Sequence, residues 1–279
     1  MSRILPLFIL VAATWLVVDL YGAPGVVVLG AAAPALAYTG LLLWMDRGER
    51  EPRRLLLATF LWGAVVAAGL SLLMDDWMTA VLTTWRGEEW ASLAAPVLVA
   101  PLVEESAKGL ALVALVLLAR GQFNGLVDGV VYGGLVGMGF SLTENVRYLT
   151  LAILQGSLWR AIYVRAVLSG GIHSLFTATT GAAFGYARGS TVPAARVLVP
   201  CAGFALAVLQ HAAWNGVASG AITSLLCNPD AATGACAAAP GVPALLFRVP
   251  FVAVLGMTPG MVTLGLLAIL RARERRRPT

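Results

Sequence analysis

Charge is what this chain has least of: 12% of its 279 residues are charged and 59% are hydrophobic, with a mean hydropathy of +0.85. So little polar surface excludes an ordinary water-soluble domain, and the apolar runs are repeatedly long enough to cross a hydrocarbon core of about 30 Å. Strict apolar/polar alternation with regular turns is also missing, which excludes an outer-membrane barrel. Gly, Ala and Leu dominate instead, as they do where helix backbones approach each other closely. The arginines carry no recognisable binding module, so no nucleic-acid partner is expected. Internal repeats are lacking too, which weighs against the two-halved plan of many transporters. What remains is an all-α fold, a polytopic transmembrane helical bundle.

Apolar runs bounded by charged or Pro/Gly breaks predict about eight spans, near residues 4–21, 25–45, 55–74, 93–118, 126–150, 162–187, 195–219 and 247–270. Residues 1–33 also resemble a signal peptide, with Arg3 before the apolar stretch and Ala31, Ala32 and Ala33 as a small-residue cleavage site. The stretch runs longer than a signal needs and continues into the second span, so a first span is the expectation. Eight spans put both termini on one face. That face receives thirteen arginines, namely Arg3, Arg47, Arg50, Arg53, Arg54, Arg120, Arg188, Arg196 and the tail Arg271, Arg273, Arg275, Arg276 and Arg277. The other receives Arg86, Arg147, Arg160, Arg165 and Arg248. The positive-inside bias makes the first face, with both termini, cytoplasmic, and the net charge of +5 reads as topology and contact with anionic headgroups. The expected organisation is one integral membrane domain, 1–279, with a catalytic core at about 95–220, an extracytoplasmic loop at 221–246 and a basic cytoplasmic tail at 271–279. Cys227 and Cys236 fall in that outer loop, where a disulfide is permitted, and Cys201 reads as a small apolar filler.

Four consecutive spans carry polar residues that lipid would not tolerate. The fourth has Glu104, Glu105 and the only lysine, Lys108; the fifth has Phe140, Glu144 and Asn145; the sixth has His173; the seventh has His211 and Asn215. These are the only two histidines. Lys108 lies four residues from Glu104 and three from Glu105, so it faces both carboxylates, and pairing with one leaves the other free for chemistry. Counting a rise of about 1.5 Å per residue from the outer ends, Glu104, His173 and His211 reach comparable levels in the outer half of the bilayer. Glu144 reaches that level if the fifth span continues through Leu154. Carboxylates and imidazoles at one level suit a divalent metal such as zinc with a carboxylate as general base. They equally suit a glutamate-activated water with neighbouring donors stabilising an oxyanion.

The set Glu104-Glu105-x-x-Lys108, Phe140-x-x-x-Glu144-Asn145, His173 and His211-x-x-x-Asn215, in this order over about 95–220, resembles the PrsW family of intramembrane proteases, relatives of the CAAX prenyl endopeptidases and bacteriocin-processing membrane proteins. In the prenyl endopeptidase branch a histidine matches Glu144, so the likeness is to the PrsW branch. The resemblance implies cleavage of membrane-tethered proteins near the membrane, with anti-sigma factors as the type of substrate, in the bacterial cytoplasmic membrane. It implies Glu104 and Glu105 as a base-and-ligand pair in either order, and Glu144, His173 and His211 as metal ligands or water-positioning groups. Asn215 is implied as an oxyanion donor. The family is classed as metal-dependent, which makes zinc the expected ion, yet the related endopeptidases have been argued to work without a catalytic metal. A proton-coupled transporter using the same carboxylates and histidines is the competing reading. Outside the constellation, Arg147 and Arg165 are expected to snorkel to the outer surface, and Asp128 to cap or sit at the interface at the inner start of the fifth span.

Overall fold

The computed structural model describes residues 24–46 and 51–218. The expected spans at 4–21 and 247–270, the 221–246 loop with Cys227 and Cys236, and the basic tail lie outside the described residues. Seven helices make up the described part, with no strand among them. They are α1 (Gly25–Met45), α2 (Arg53–Arg86), α3 (88–118), α4 (Leu126–Leu154), α5 (158–168), α6 (Ile172–Gly189) and α7 (Ala195–Ala218). Four of these, α1, α2, α4 and α7, are long and apolar enough to cross a membrane. Together with the apolar composition this makes the protein an integral membrane protein.

Three helices contain a π-helical turn: Trp62–Ala67 in α2, Ala95–Val99 in α3 and Tyr163–Leu168 in α5. The cause in α3 is readable from the chain. The Ala100 amide bonds to the Ala95 carbonyl, five residues back, and Pro101 has no N–H to offer. The Pro96 carbonyl is therefore left for a side chain. The sixth predicted span is not one helix. Ser169, Gly170 and Gly171 separate α5 from α6, and Ser169 closes α5 by donating from its amide and its Oγ to the Val164 carbonyl at 2.9 and 2.8 Å. Glycine is required there by space: a Cβ on Gly171 would lie 2.5 Å from the Tyr38 ring of α1, and one on Gly170 would lie 2.8 Å from Pro34.

α4 is the central helix. Its most apolar window is 89% buried, against 28–39% for the other three crossing helices, so it is wrapped by protein while they face lipid. A ladder of glycines at four-residue spacing makes this possible. Cβ atoms on Gly129, Gly133 and Gly137 would meet the carbonyl oxygens of Gly181, Thr177 and His173 on α6 at 2.0, 2.5 and 2.2 Å. The opposite face of α4 meets α2 in the same way, with Gly139 against the Phe60 carbonyl at 2.0 Å and Gly63 against that of Val136 at 1.9 Å. Asp128 caps the start of α4 as expected, its Oδ2 accepting the amides of Asn124 and Gly125 at 3.0 and 2.9 Å. At that end Tyr132 also donates to Glu51 Oε2 at 2.7 Å, tying α4 to the segment before α2.

The glycine contacts make a sharp comparison. Gly133→Ala is expected to lower stability by about 1–3 kcal/mol, because backbone must move to admit the methyl group. Gly109→Ala, whose Cβ meets nothing within 4 Å, is expected to change stability little. Unfolding of the two variants in detergent measures the difference, and equal stabilities would refute the close-approach account.

Candidate functional site

Lys108 is completely buried on α3, and an ammonium has three protons to place. Nζ donates to Glu104 Oε2 at 3.1 Å and to Glu105 Oε1 at 2.9 Å, and faces His173 Nδ1 at 3.1 Å. It also sits 3.6 Å above the centre of the Phe140 ring. The sequence reading pairs the lysine with one glutamate; the structure has it holding both, since positions three and four residues back lie on the same side of the helix.

The two glutamates are not equivalent. Glu105 is 1% exposed and fully engaged: Oε1 takes Lys108 and lies 3.1 Å from His211 Nδ1, and Oε2 accepts from Thr177 Oγ1 at 3.1 Å. Glu104 reaches the wall of a cavity of about 650 Å³, as do Glu144, Asn215, Arg147, Arg165 and Asp75.

Carboxylates only accept, which fixes both imidazole tautomers. His211 Nδ1 carries the proton toward Glu105, leaving Nε2 as a lone pair, and that buried atom has no hydrogen-bond partner among the described residues. His173 Nε2 carries the proton toward Glu144 Oε2 at 2.7 Å, so its Nδ1 accepts from Lys108. Aromatic packing holds the rings: Phe176 stacks on His211 with centroids 5.1 Å apart, and Phe140 lies 5.2 Å from His173.

Among the described residues, Glu104, His173 and His211 present ligand atoms within 4.8 Å of one another. His173 Nδ1 and His211 Nε2 lie 3.9 and 3.7 Å from Glu104 Oε2. Ligand atoms of a tetrahedral zinc are roughly 3.4 Å apart, given bonds of about 2.0–2.2 Å, so the donor set fits once its separations, all within 4.8 Å, contract toward that value. Charge fits as well. With neutral imidazoles, Glu104, Glu105 and Glu144 against Lys108 and Arg165 leave one negative charge in excess.

Glu144 stands outside that trio, on the far side of His173. α4 does run on to Leu154, which supplies the depth its level requires. Its carboxylate is paired with Arg165 and accepts from His173. The expected snorkelling of Arg165 is thus corrected: its guanidinium turns inward to Glu144, donates from Nε to Asn145 Oδ1 at 2.8 Å, and covers the Tyr148 ring at 4.4 Å. From the last turn of α5 the arginine thus reaches a part-buried acid and amide of α4. Asn215 donates from Nδ2 to the Pro96 carbonyl at 3.0 Å, the acceptor left over by the π-turn, and so ties α7 to α3. The sequence reading missed Thr177 and Arg165 as site residues. Thr177 was findable, being one turn after His173 on the same face; Arg165 was not, without the break.

The comparisons with known proteins bear on this site. Residues 51–255 match the family described as PrsW family intramembrane metalloprotease. Protease PrsW of Geobacillus kaustophilus (strain HTA426) is 30% identical over 156 residues, 56% of this chain and 64% of that protein, so the chain spans just under two thirds of this relative. No solved structure matches the chain. The matched region contains every residue of the buried cluster, and the chain belongs to the PrsW family of intramembrane proteases.

Proposed function

We propose that the protein is an endopeptidase that cleaves membrane-tethered protein substrates, of the anti-sigma-factor type that the family likeness implies, close to the outer face of a bacterial cytoplasmic membrane. Both termini lie on the cytoplasmic side in this reading, supported by the arginine distribution. The observation that carries the activity is the lone pair of His211 Nε2, buried, without a hydrogen-bond partner among the described residues, and 3.7 Å from the carboxylate of Glu104, which lines a cavity of about 650 Å³. Polar groups without partners are costly inside a bilayer and are kept where they act. A proton-coupled transporter draws no support from the family or from any second set of matching helices.

Glu104, His173 and His211 would hold a divalent cation, zinc by donor type. Bound there, it would supply Lewis-acid polarisation of a carbonyl or water oxygen. Glu105 then orients His211 and fixes its tautomer, as outer carboxylates do for ligating histidines. Glu144 is the cavity carboxylate bonded to the cluster through His173, and in this reading it takes a proton from the attacking water and returns it to the leaving amine, with Arg165 and His173 holding it in place. Asn215 lines the same cavity and is the oxyanion donor that the family likeness implies.

One observation favours a second reading without metal. The Lys108 ammonium already lies 3.1 Å from both Glu104 and His173 Nδ1, so it competes for the same acceptors. In that case Glu104 is the base.

With protein and a membrane-anchored model substrate in liposomes, Glu104→Gln, Glu144→Gln, His173→Ala and His211→Ala are each expected to lower cleavage by at least about 100-fold while the fold persists. Full activity in any two would sink the assigned site. Elemental mass spectrometry of purified protein separates the two readings: about one zinc per chain is expected, lost in Glu104→Gln and His211→Ala and kept in Glu144→Gln. Active, folded protein free of metal would assign the cationic role to Lys108 and water activation to Glu104.

A further inference from the structure

The part of the cavity on α2 is not used by the chemistry above. Ser71 lines it and is 3% exposed, and its Oγ has no hydrogen-bond partner among the described residues. Thr39 and Thr180 share that condition, whereas Thr59 and Thr83 of the same helix, and Ser106 of α3, donate to a carbonyl one turn back. One turn after Ser71 on the same face is Asp75, also on the cavity wall, whose buried Oδ1 likewise lacks a partner.

The charges decide what such a place takes. Glu144 is committed to Arg165 and Glu104 to Lys108. The wall as a whole carries four carboxylates, Asp75, Asp76, Glu104 and Glu144, against two guanidiniums, Arg147 and Arg165, and of the four it is Asp75 whose buried oxygen has no hydrogen-bond partner among the described residues. A peptide backbone offers donors and acceptors in alternation, whereas the ionised Asp75 carboxylate, the form a bound cation favours, offers acceptors only. Lysine and arginine side chains offer several donors and no acceptor.

We infer that Ser71 and Asp75 form a subsite that holds a basic side chain, Lys or Arg, of the bound substrate. The inference rests on the endopeptidase reading for the identity of the ligand, and on cavity geometry alone for the preference for cations. Asp75 accepts the charged group, Ser71 takes a further proton of the same group, and both line the cavity that Glu104 also lines, which holds the substrate chain beside the site.

Two measurements test it. In a full-length variant with Cys201, Cys227 and Cys236 replaced by serine and Ser71→Cys introduced, labelling by a trimethylammonium-bearing methanethiosulfonate should exceed labelling by a sulfonate-bearing one. The ratio is expected to stand about tenfold above that for a free thiol. Asp75→Asn should remove the excess, and the exposed Asp76→Asn should leave most of it. Separately, changing the Lys and Arg residues near the cut of a model substrate to Gln should raise KM about tenfold for the wild type and leave it unchanged for Asp75→Asn. Charge-blind labelling, or an equal loss in wild type and Asp75→Asn, overturns the subsite even if cleavage is robust. Cation-selective labelling with no cleavage of any substrate supports the cationic subsite and overturns the endopeptidase reading instead.

Discussion

The site is organised around one buried ammonium. An isolated lysine cannot be kept charged in the interior of a membrane protein unless each of its protons has an acceptor, and Lys108 finds three, in Glu104, Glu105 and His173. Each acceptor then commits something else. Glu105 reaches Thr177 on α6 and His211 on α7, and His173 reaches Glu144 on α4. Polar groups from four helices are thereby referenced to a single nitrogen, and the tautomer of both histidines follows from the ionisation of the glutamates around them.

Such a network is useful only if the backbones come close enough, and that is the task of the small residues. The carbonyl of His173 lies where a side chain on Gly137 would be, so the helix bearing the histidine presses directly on the one bearing Glu144. Lipid gives no hydrophobic drive for two helices to meet, and close contact of backbone surfaces supplies the attraction instead. The ladder on α4 and the ammonium on α3 thus act together, one setting distance and the other setting register.

Much of this was legible in the chain. The apolar runs gave the positions of α1, α2, α4 and α7, and the i, i+3 and i, i+4 spacing of Glu104, Glu105 and Lys108 gave their common face. The level of His173 and His211 relative to the carboxylates followed from counting rise. What could not be read was rotation. Which glutamate faces the cavity depends on the orientation of α3 about its axis, and nothing local distinguishes Glu104 from Glu105. The inward turn of Arg165 was hidden for a related reason: two glycines in an apolar stretch read equally as a packing site inside a helix and as a break, and it is the closure of α5 by Ser169 on the Val164 carbonyl that shows the break.

The wide turns in α2 and α3 have a consequence for how the hairpin between these helices is aimed. Each such turn accommodates one residue more than an ordinary helix does, which rotates everything before it by roughly 100° relative to everything after it. The short segment Glu88–Ala94 and the stretch Ala100–Leu118, which bears Glu104, Glu105 and Lys108, are joined across such a turn, so the facing of one relative to the other is set by a count of residues more than by their identity. Loss of a single residue between them would leave composition and hydropathy almost unchanged and would turn the three charged side chains to another side of the preceding segment.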